Sequence, residues 1–247
     1  MKTATPRGNM VEELFKAGAH FGFVKARRHP SALPFIFGAK NKVEIFDLEK
    51  TQHELARAIA FITKTGEESQ GIMIVGGKSE AKEAVKNVGE DLGMPYVAGR
   101  WIGGTITNFS EIKKRLAKLD ELTTQREKGE LGKYTKKERL LIDREIDKLT
   151  LYFGGIAHMK SLPKALIVID PKREHIAVSE AKRMKIPVVG LAGSDSNLHE
   201  IDVAIPANDS SRQSIAFILG ELKDAYKTGL SNAKPVEKKE DKTEESK

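Results

Sequence analysis

Apolar and polar positions follow two rhythms along this chain. Short unbroken apolar runs stand at Ile72–Val75, Ala165–Ile169, Pro187–Leu191 and Val203–Ile205, the pattern of strands covered on both faces. Between them the period lengthens to that of helices. Thr51-Gln-His-Glu54 has capping-box spacing and opens a helix with Leu55, Ile59 and Ile62 on one face, ended by Gly66. Gly76-Gly77 turns the first run into a helix capped by Ser79 and ended by Gly93, after which Met94–Val97 reads as another strand. A helix follows over about Ile176 to Met184, and Ser210 to Lys227 closes the chain through Ile215, Ile218, Leu219 and Leu222. Strands alternating with helices predict an α/β domain with a mainly parallel sheet and helices on both faces, the strand order being left open.

Two segments depart from that alternation. Asn9 to Ala17 reads as a short helix with Val11, Leu14 and Phe15 on one face, stopped by Gly18; Ala19 to Pro30 is too aperiodic for regular structure and reads as an exposed loop. Phe35–Phe37 and Val43–Phe46 read as a hairpin about a polar turn at Gly38–Asn41. The second departure is bracketed by two glycine pairs, Gly103-Gly104 and Gly154-Gly155. Within it, Phe109, Ile112, Leu116 and Leu119 recur at helical spacing, as do Ile142, Ile146, Leu149 and Phe153. Thr135–Glu138 is a second capping box and Gly129 to Tyr134 supplies a tip, which predicts an antiparallel helical hairpin. The expected domains are therefore a discontinuous α/β body at 9–104 and 154–229, an inserted hairpin at 105–153, and a disordered charged tail at 231–247.

Composition narrows the function classes. With 39% hydrophobic and 31% charged positions over 247 residues, the chain reads as a soluble globular protein. The absence of cysteine removes disulfides, thiol catalysis and cysteine-based zinc sites. Ala165–Ile169 is far too short to span a bilayer, and the first ten residues contain no apolar signal core, so the expected location is cytoplasmic, with no membrane partner. A net charge of +7 favours a polyanionic partner. From Ala19 to Val43 there are Lys25, Arg27, Arg28, Lys40 and Lys42, with His29 beside the arginines, and no acid. The hairpin adds Lys113, Lys114, Arg115, Lys118, Lys136 and Lys137, interleaved with Glu111, Glu138 and Glu145, so its charges can also satisfy one another.

The competing class is a nucleotide- or metal-dependent enzyme, because doubly wound sheets bind ligands beyond the carboxyl ends of their strands. Gly77-Lys78-Ser79 imitates the end of a phosphate loop but lacks the glycine five positions before Gly77. Asp170 ends the best buried strand, where a catalytic carboxylate would lie, yet no partner base is fixed near it in sequence. None of the six histidines has metal-site spacing. Phe21 and Phe23 can stack on bases or fill the core. Trp101, beside Arg100, can contact a nucleic acid or wedge the foot of the hairpin.

Ala17–Gly22, Pro34–Gly38, Gly93–Tyr96, Arg100–Phe109 and Pro163–Asp170, with Glu174, His175, Ile176, Ala177, Glu180 and Ala181, together resemble the ribosomal protein S2 family in its bacterial form, over roughly Met10 to Gly229. The resemblance implies a three-layer α/β/α domain, flavodoxin-like or Rossmann-like, with a projecting coiled-coil hairpin, no catalysis and no cofactor or metal. It implies small-subunit rRNA and neighbouring ribosomal proteins, including ribosomal protein S1, as partners. The expected rRNA contacts are Lys25, Arg27, Arg28, His29, Lys40, Lys42, Arg100, Trp101, Asn108, Lys113, Lys114, Arg115, Lys118, Lys136 and Lys137. Two departures stand out: Phe23–Pro30 lacks the family's usual tryptophan, and Gly193-Ser194-Asp195 replaces its usual Asp-Thr-Asn.

Overall fold

The computed structural model describes residues 10–233. The elements in chain order are α1 (Met10–Lys16), β1 (Phe21–Val24), β2 (Ile36–Lys40), β3 (Val43–Phe46), α2 (Leu48–Glu67), β4 (Ile72–Val75), α3 (Lys82–Leu92), β5 (Tyr96–Val97), α4 (Phe109–Glu127), α5 (Lys136–Phe153), β6 (Ala165–Ile169), α6 (His175–Arg183), β7 (Val188–Ala192), β8 (Val203–Pro206) and α7 (Arg212–Asn232). The tail read from Ser231 lies outside the described residues after residue 233, and Ser231 and Asn232 themselves belong to α7.

Five parallel strands form the main sheet in the order β5-β4-β6-β7-β8. That is the flavodoxin-like order, with its topological switch point between β4 and β6. Side chains alternate across the sheet. Ile72, Ile74, Ile167 and Leu191 pack on one face with Leu55, Val85 and Leu219 of α2, α3 and α7. Met73, Val75, Leu166 and Val168 pack on the other with Ala177 and Ala181 of α6 and with Phe153 and Ile156 at the foot of the hairpin. Burial on both sides explains why these strands read as unbroken apolar runs.

Between β5 and β6 the crossover carries α4 and α5, which pack through Ile112, Leu119, Ile146 and Leu149. A 3-10 turn at Glu130–Lys133 reverses the chain, and the Thr135 capping box has both of its hydrogen bonds. The connection from β7 to β8 differs from the alternating pattern, holding one 3-10 turn at Leu198–Glu200 in place of a helix. Its Leu198 and Ile201 supply the apolar cover that a helix would otherwise give.

Three local expectations change. The segment expected to be an exposed loop contains β1, which pairs antiparallel with β3 in a three-stranded sheet of order β1-β3-β2. Its alternation is hidden by a bulge: Phe21 faces Ile45 and Val24 faces Val43, so three steps on one strand match two on the other. Helix α2 starts earlier than Thr51 because the Asp47 carboxylate accepts from the N–H groups of Glu49 and Lys50 at 3.1 and 3.4 Å. Thr51 is instead buried, donating its hydroxyl to the Pro206 carbonyl at 2.7 Å. Ser79 caps no helix; its hydroxyl donates to Glu80 at 2.8 Å and α3 begins at Lys82.

Candidate nucleic-acid interface

The small sheet gathers part of the early basic segment. Asn41 and Lys42 both have positive φ, 51° and 67°, forming a tight two-residue turn whose twist suits a hairpin. The turn lies one step later than the expected one at Gly38–Asn41, so Lys40 ends β2 opposite Val43. On the other edge Val24 also faces Val43, and the Lys25 N–H donates to the Lys42 carbonyl at 3.3 Å. Lys25, Lys40 and Lys42 therefore converge at one end of the sheet. All three are exposed, and none has an ion pair among the described residues.

Arg27 and Arg28, expected beside them, are engaged within the protein. Alternation along β3 points Glu44 inward, where it is 1% exposed, and Arg28 Nη1 donates to its carboxylate at 2.7 Å. Arg27 Nη2 donates to Asp195 at 3.0 Å, with its guanidinium 4.5 Å above the Phe23 ring. Phe23 is thus half-buried beneath Arg27, whereas Phe21 is 49% exposed. His29 accepts through Nδ1 from the Ser31 N–H and fixes the turn that follows. The Gly193-Ser194-Asp195 loop is what holds this module: the Ser194 hydroxyl accepts from the Phe23 N–H and its carbonyl from the His29 N–H, each at 2.9 Å. A Cβ on Gly193 would lie 2.8 Å from the Phe23 ring.

Trp101 is 4% exposed, which corrects its expected place among the contacts. Its indole N–H donates to Glu180 Oε1 at 3.1 Å, so it secures the foot of the hairpin. The same carboxylate accepts from the N–H groups of Gly104, Ile106 and Thr107 and from the Thr107 hydroxyl. Burial pushes the Glu180 pKa up, but the backbone donors and the indole outweigh it and hold it below the ordinary value. No spacing in the sequence announces this role; Glu180 enters there as one of the residues of the family resemblance, with no structural task attached to it.

The hairpin cations vary. Lys114 is paired with Glu111 at 2.6 Å and Lys118 with Glu145 on the facing helix. Lys113 sits 4.9 Å over the Phe109 ring. Arg115, Lys136 and Lys137 are exposed and have no ion pair among the described residues. Asn108 precedes α4 without capping it by side chain and accepts instead from the Ser110 hydroxyl. Arg100 is exposed beside a cleft of about 380 Å³.

At the switch point, Lys78 Nζ lies 3.1 Å from Asp170 and 3.3 Å from Asp209, with the Phe23 ring 5.7 Å away. The protein's own ammonium group and ring thus occupy the place where the enzyme reading put a ligand next to Asp170. Asp209 is pushed up to about 6 by burial and by Asp170, against the pull of Lys78. A carboxyl whose folded pKa is raised costs nothing below its unfolded value of 3.8; the cost grows as pH rises toward 6 and is full above it. It then amounts to about 3 kcal/mol, from 1.36 kcal/mol per pKa unit. Asp209→Asn is expected to raise Tm by a few degrees at pH 7.5 and to leave it nearly unchanged at pH 4, as measured by thermal denaturation.

The chain matches the family model described as ribosomal protein S2 over residues 14–229. Proteins named small ribosomal subunit protein uS2 are similar along most of their length. That of Chlorobaculum tepidum is 42% identical over 222 residues, covering 89% of this chain and 88% of the relative. That of Roseiflexus sp. is 40% identical over 227 residues, covering 92% and 87%. That of Chloroflexus aurantiacus is 39% identical over 225 residues, covering 91% and 94%. With the parallel sheet, the inserted helices and the Arg100–Phe109 segment folded around Glu180, these matches establish that the chain belongs to the ribosomal protein S2 family.

Proposed function

We propose that this chain is a structural, non-catalytic constituent of the small ribosomal subunit, bound to its rRNA in the cytoplasm. Membership of a family whose members are named as small-subunit proteins supports the role. The observation that carries the contact surface is the convergence of Lys25, Lys40 and Lys42, three exposed ammonium groups without an ion pair among the described residues. Such cations bind by displacing counterions from phosphates, so they position the protein without reading base sequence. Arg100, Arg115, Lys136 and Lys137 supply further phosphate contacts from the body and the hairpin. In this reading 9–104 with 154–229 forms the anchored body and 105–153 the arm. Neighbouring small-subunit proteins, ribosomal protein S1 among them, are direct partners, a point that capture of S1 by the immobilised chain would test.

Replacing Lys25, Lys40 and Lys42 together by Ala is expected to leave Tm unchanged. The slope of log K against log salt for small-subunit rRNA becomes shallower by about two to three. An unaltered slope retires this cluster. Arg28→Ala serves as contrast: it strands the buried Glu44 carboxylate and lowers stability, so a loss of binding there would not identify a contact.

A further inference from the structure

The cleft beside Arg100 is distinct from the lysine cluster on the small sheet, and its lining is uneven in charge. It opens at the carboxyl ends of β4 and β5, where Gly77 and Gly99 leave the strands, and is closed from the β6 side by the residues leading into α6. Lys82, Arg100 and Arg173 all line it. Each is exposed, and none has an ion pair or side-chain hydrogen bond among the described residues. Glu174 is the one acid of the lining, and its Oε1 is committed to the Gly77 N–H at 3.2 Å. Burial pushes the Glu174 pKa up, against the pull of the Gly77 N–H and of Arg173, so a single carboxyl group faces three cations in this lining.

Three positive groups around one concavity focus a positive potential into it and favour the arrival of an anion. Lys82 is also the first residue of α3, an eleven-residue helix whose amino end adds positive potential in the same direction. Ile176, 46% exposed, gives the mouth an apolar ledge of the kind a ribose or base can lie against. A cavity of about 380 Å³ is large enough for a nucleoside monophosphate.

We propose that this cleft is a phosphate-binding site, gripped by Lys82, Arg100 and Arg173, that takes either a backbone phosphate of single-stranded RNA or the phosphate of a free nucleotide. Its RNA form rests on the proposed function, in which Arg100 is already a phosphate contact, but the site does not depend on Lys25, Lys40 and Lys42, so either can fail alone.

The protein contains its own reporter. Trp101, the single tryptophan, lines the same cleft, and an anion settling among the cations changes the field at its indole. The experiment titrates the full chain with AMP, and separately with a short single-stranded RNA carrying hydroxyl ends, at ionic strength held constant with chloride. Trp101 emission is followed throughout. A saturable change is expected, weakened about tenfold or more in the Lys82→Ala/Arg173→Ala chain. That variant keeps a Tm close to the wild type, because both side chains are exposed and neither has an ion pair or side-chain hydrogen bond among the described residues. A response to AMP alone assigns the site to free nucleotides, and a response to RNA alone assigns it to backbone phosphate. No saturable response to either, or one that survives the double substitution undiminished, overturns the proposal.

Discussion

Glu180→Ala is expected to destabilise the chain by about 2–4 kcal/mol, from roughly 1–3 kcal/mol for each buried donor left without an acceptor. The substitution strips the acceptor from five donors at once: the Trp101 indole, the N–H groups of Gly104, Ile106 and Thr107, and the Thr107 hydroxyl. Each buried donor left unpaired carries a desolvation cost of its own. Because these donors shape the turn that launches α4, the damage should appear first at the foot of the hairpin. Faster proteolysis near Gly103 and Gly104 would precede global unfolding. The sign with pH is fixed by the lowered pKa. Stability from the ionised carboxylate is complete above the ordinary value of 4.5 and is lost as pH falls through the lower folded value. Acid titration of the wild type should therefore show a loss in that window that Glu180→Gln lacks. A Glu180→Ala chain with unchanged Tm would remove the carboxylate from its central place.

The second large effect lies at the crossing of α2 and α7. A Cβ on Gly229 would stand 2.2 Å from the Thr63 carbonyl oxygen and 3.0 Å from the Glu67 nitrogen, and one on Gly66 would stand 2.6 Å from the Tyr226 carbonyl oxygen. The obstructing atoms are backbone, so neither helix can yield without moving as a body. Gly229→Ala is expected to cost about 3 kcal/mol or more, exceeding the roughly 1 kcal/mol that alanine gains over glycine in a helix interior. Gly220, on the same helix α7, has nothing within 4 Å of its missing Cβ. Gly220→Ala should therefore stabilise by up to about 1 kcal/mol, which is the helix-propensity gain without the clash. Denaturant unfolding of the two variants checks the opposite signs. Equal effects would mean that the close approach of the helices is not what selects glycine at 229.

Much of the architecture was legible in the sequence because the signals were local. Ile72–Val75 and Ala165–Ile169 advertise two-sided burial by having no polar position to expose. Thr135 and Glu138 carry their capping box within four residues, and Gly93, with φ of 63°, ends α3 as its lack of a side chain permits. Where rival local signals stood close together, the outcome depended on distant atoms. Thr51 has capping-box spacing, but the Pro206 carbonyl claims its hydroxyl and Asp47 takes the cap. β1 escaped detection because its bulge breaks the two-residue period on which a strand is recognised.

For the site, the division is one of charge. The sequence by itself determined that this is an α/β protein with an inserted helical excursion, that it is basic, and which residues carry the positive charge. It also held the family's motifs in order. Only the tertiary structure decided which charges remain available. Arg28 reaches Glu44 sixteen residues away and Arg27 reaches Asp195 at a separation of 168 residues, so each spends part of its charge inside the protein, Arg28 the more because it is the less exposed. Lys25, Lys40 and Lys42 are left exposed by a turn and a bulge, and Lys82, Arg100 and Arg173 line one cleft only because three strand ends converge. The physical reason is range: helix period, capping and two-sided burial are set within a few residues. An ion pair is chosen by whatever carboxylate the fold delivers to within 4 Å, and linear order says little about that.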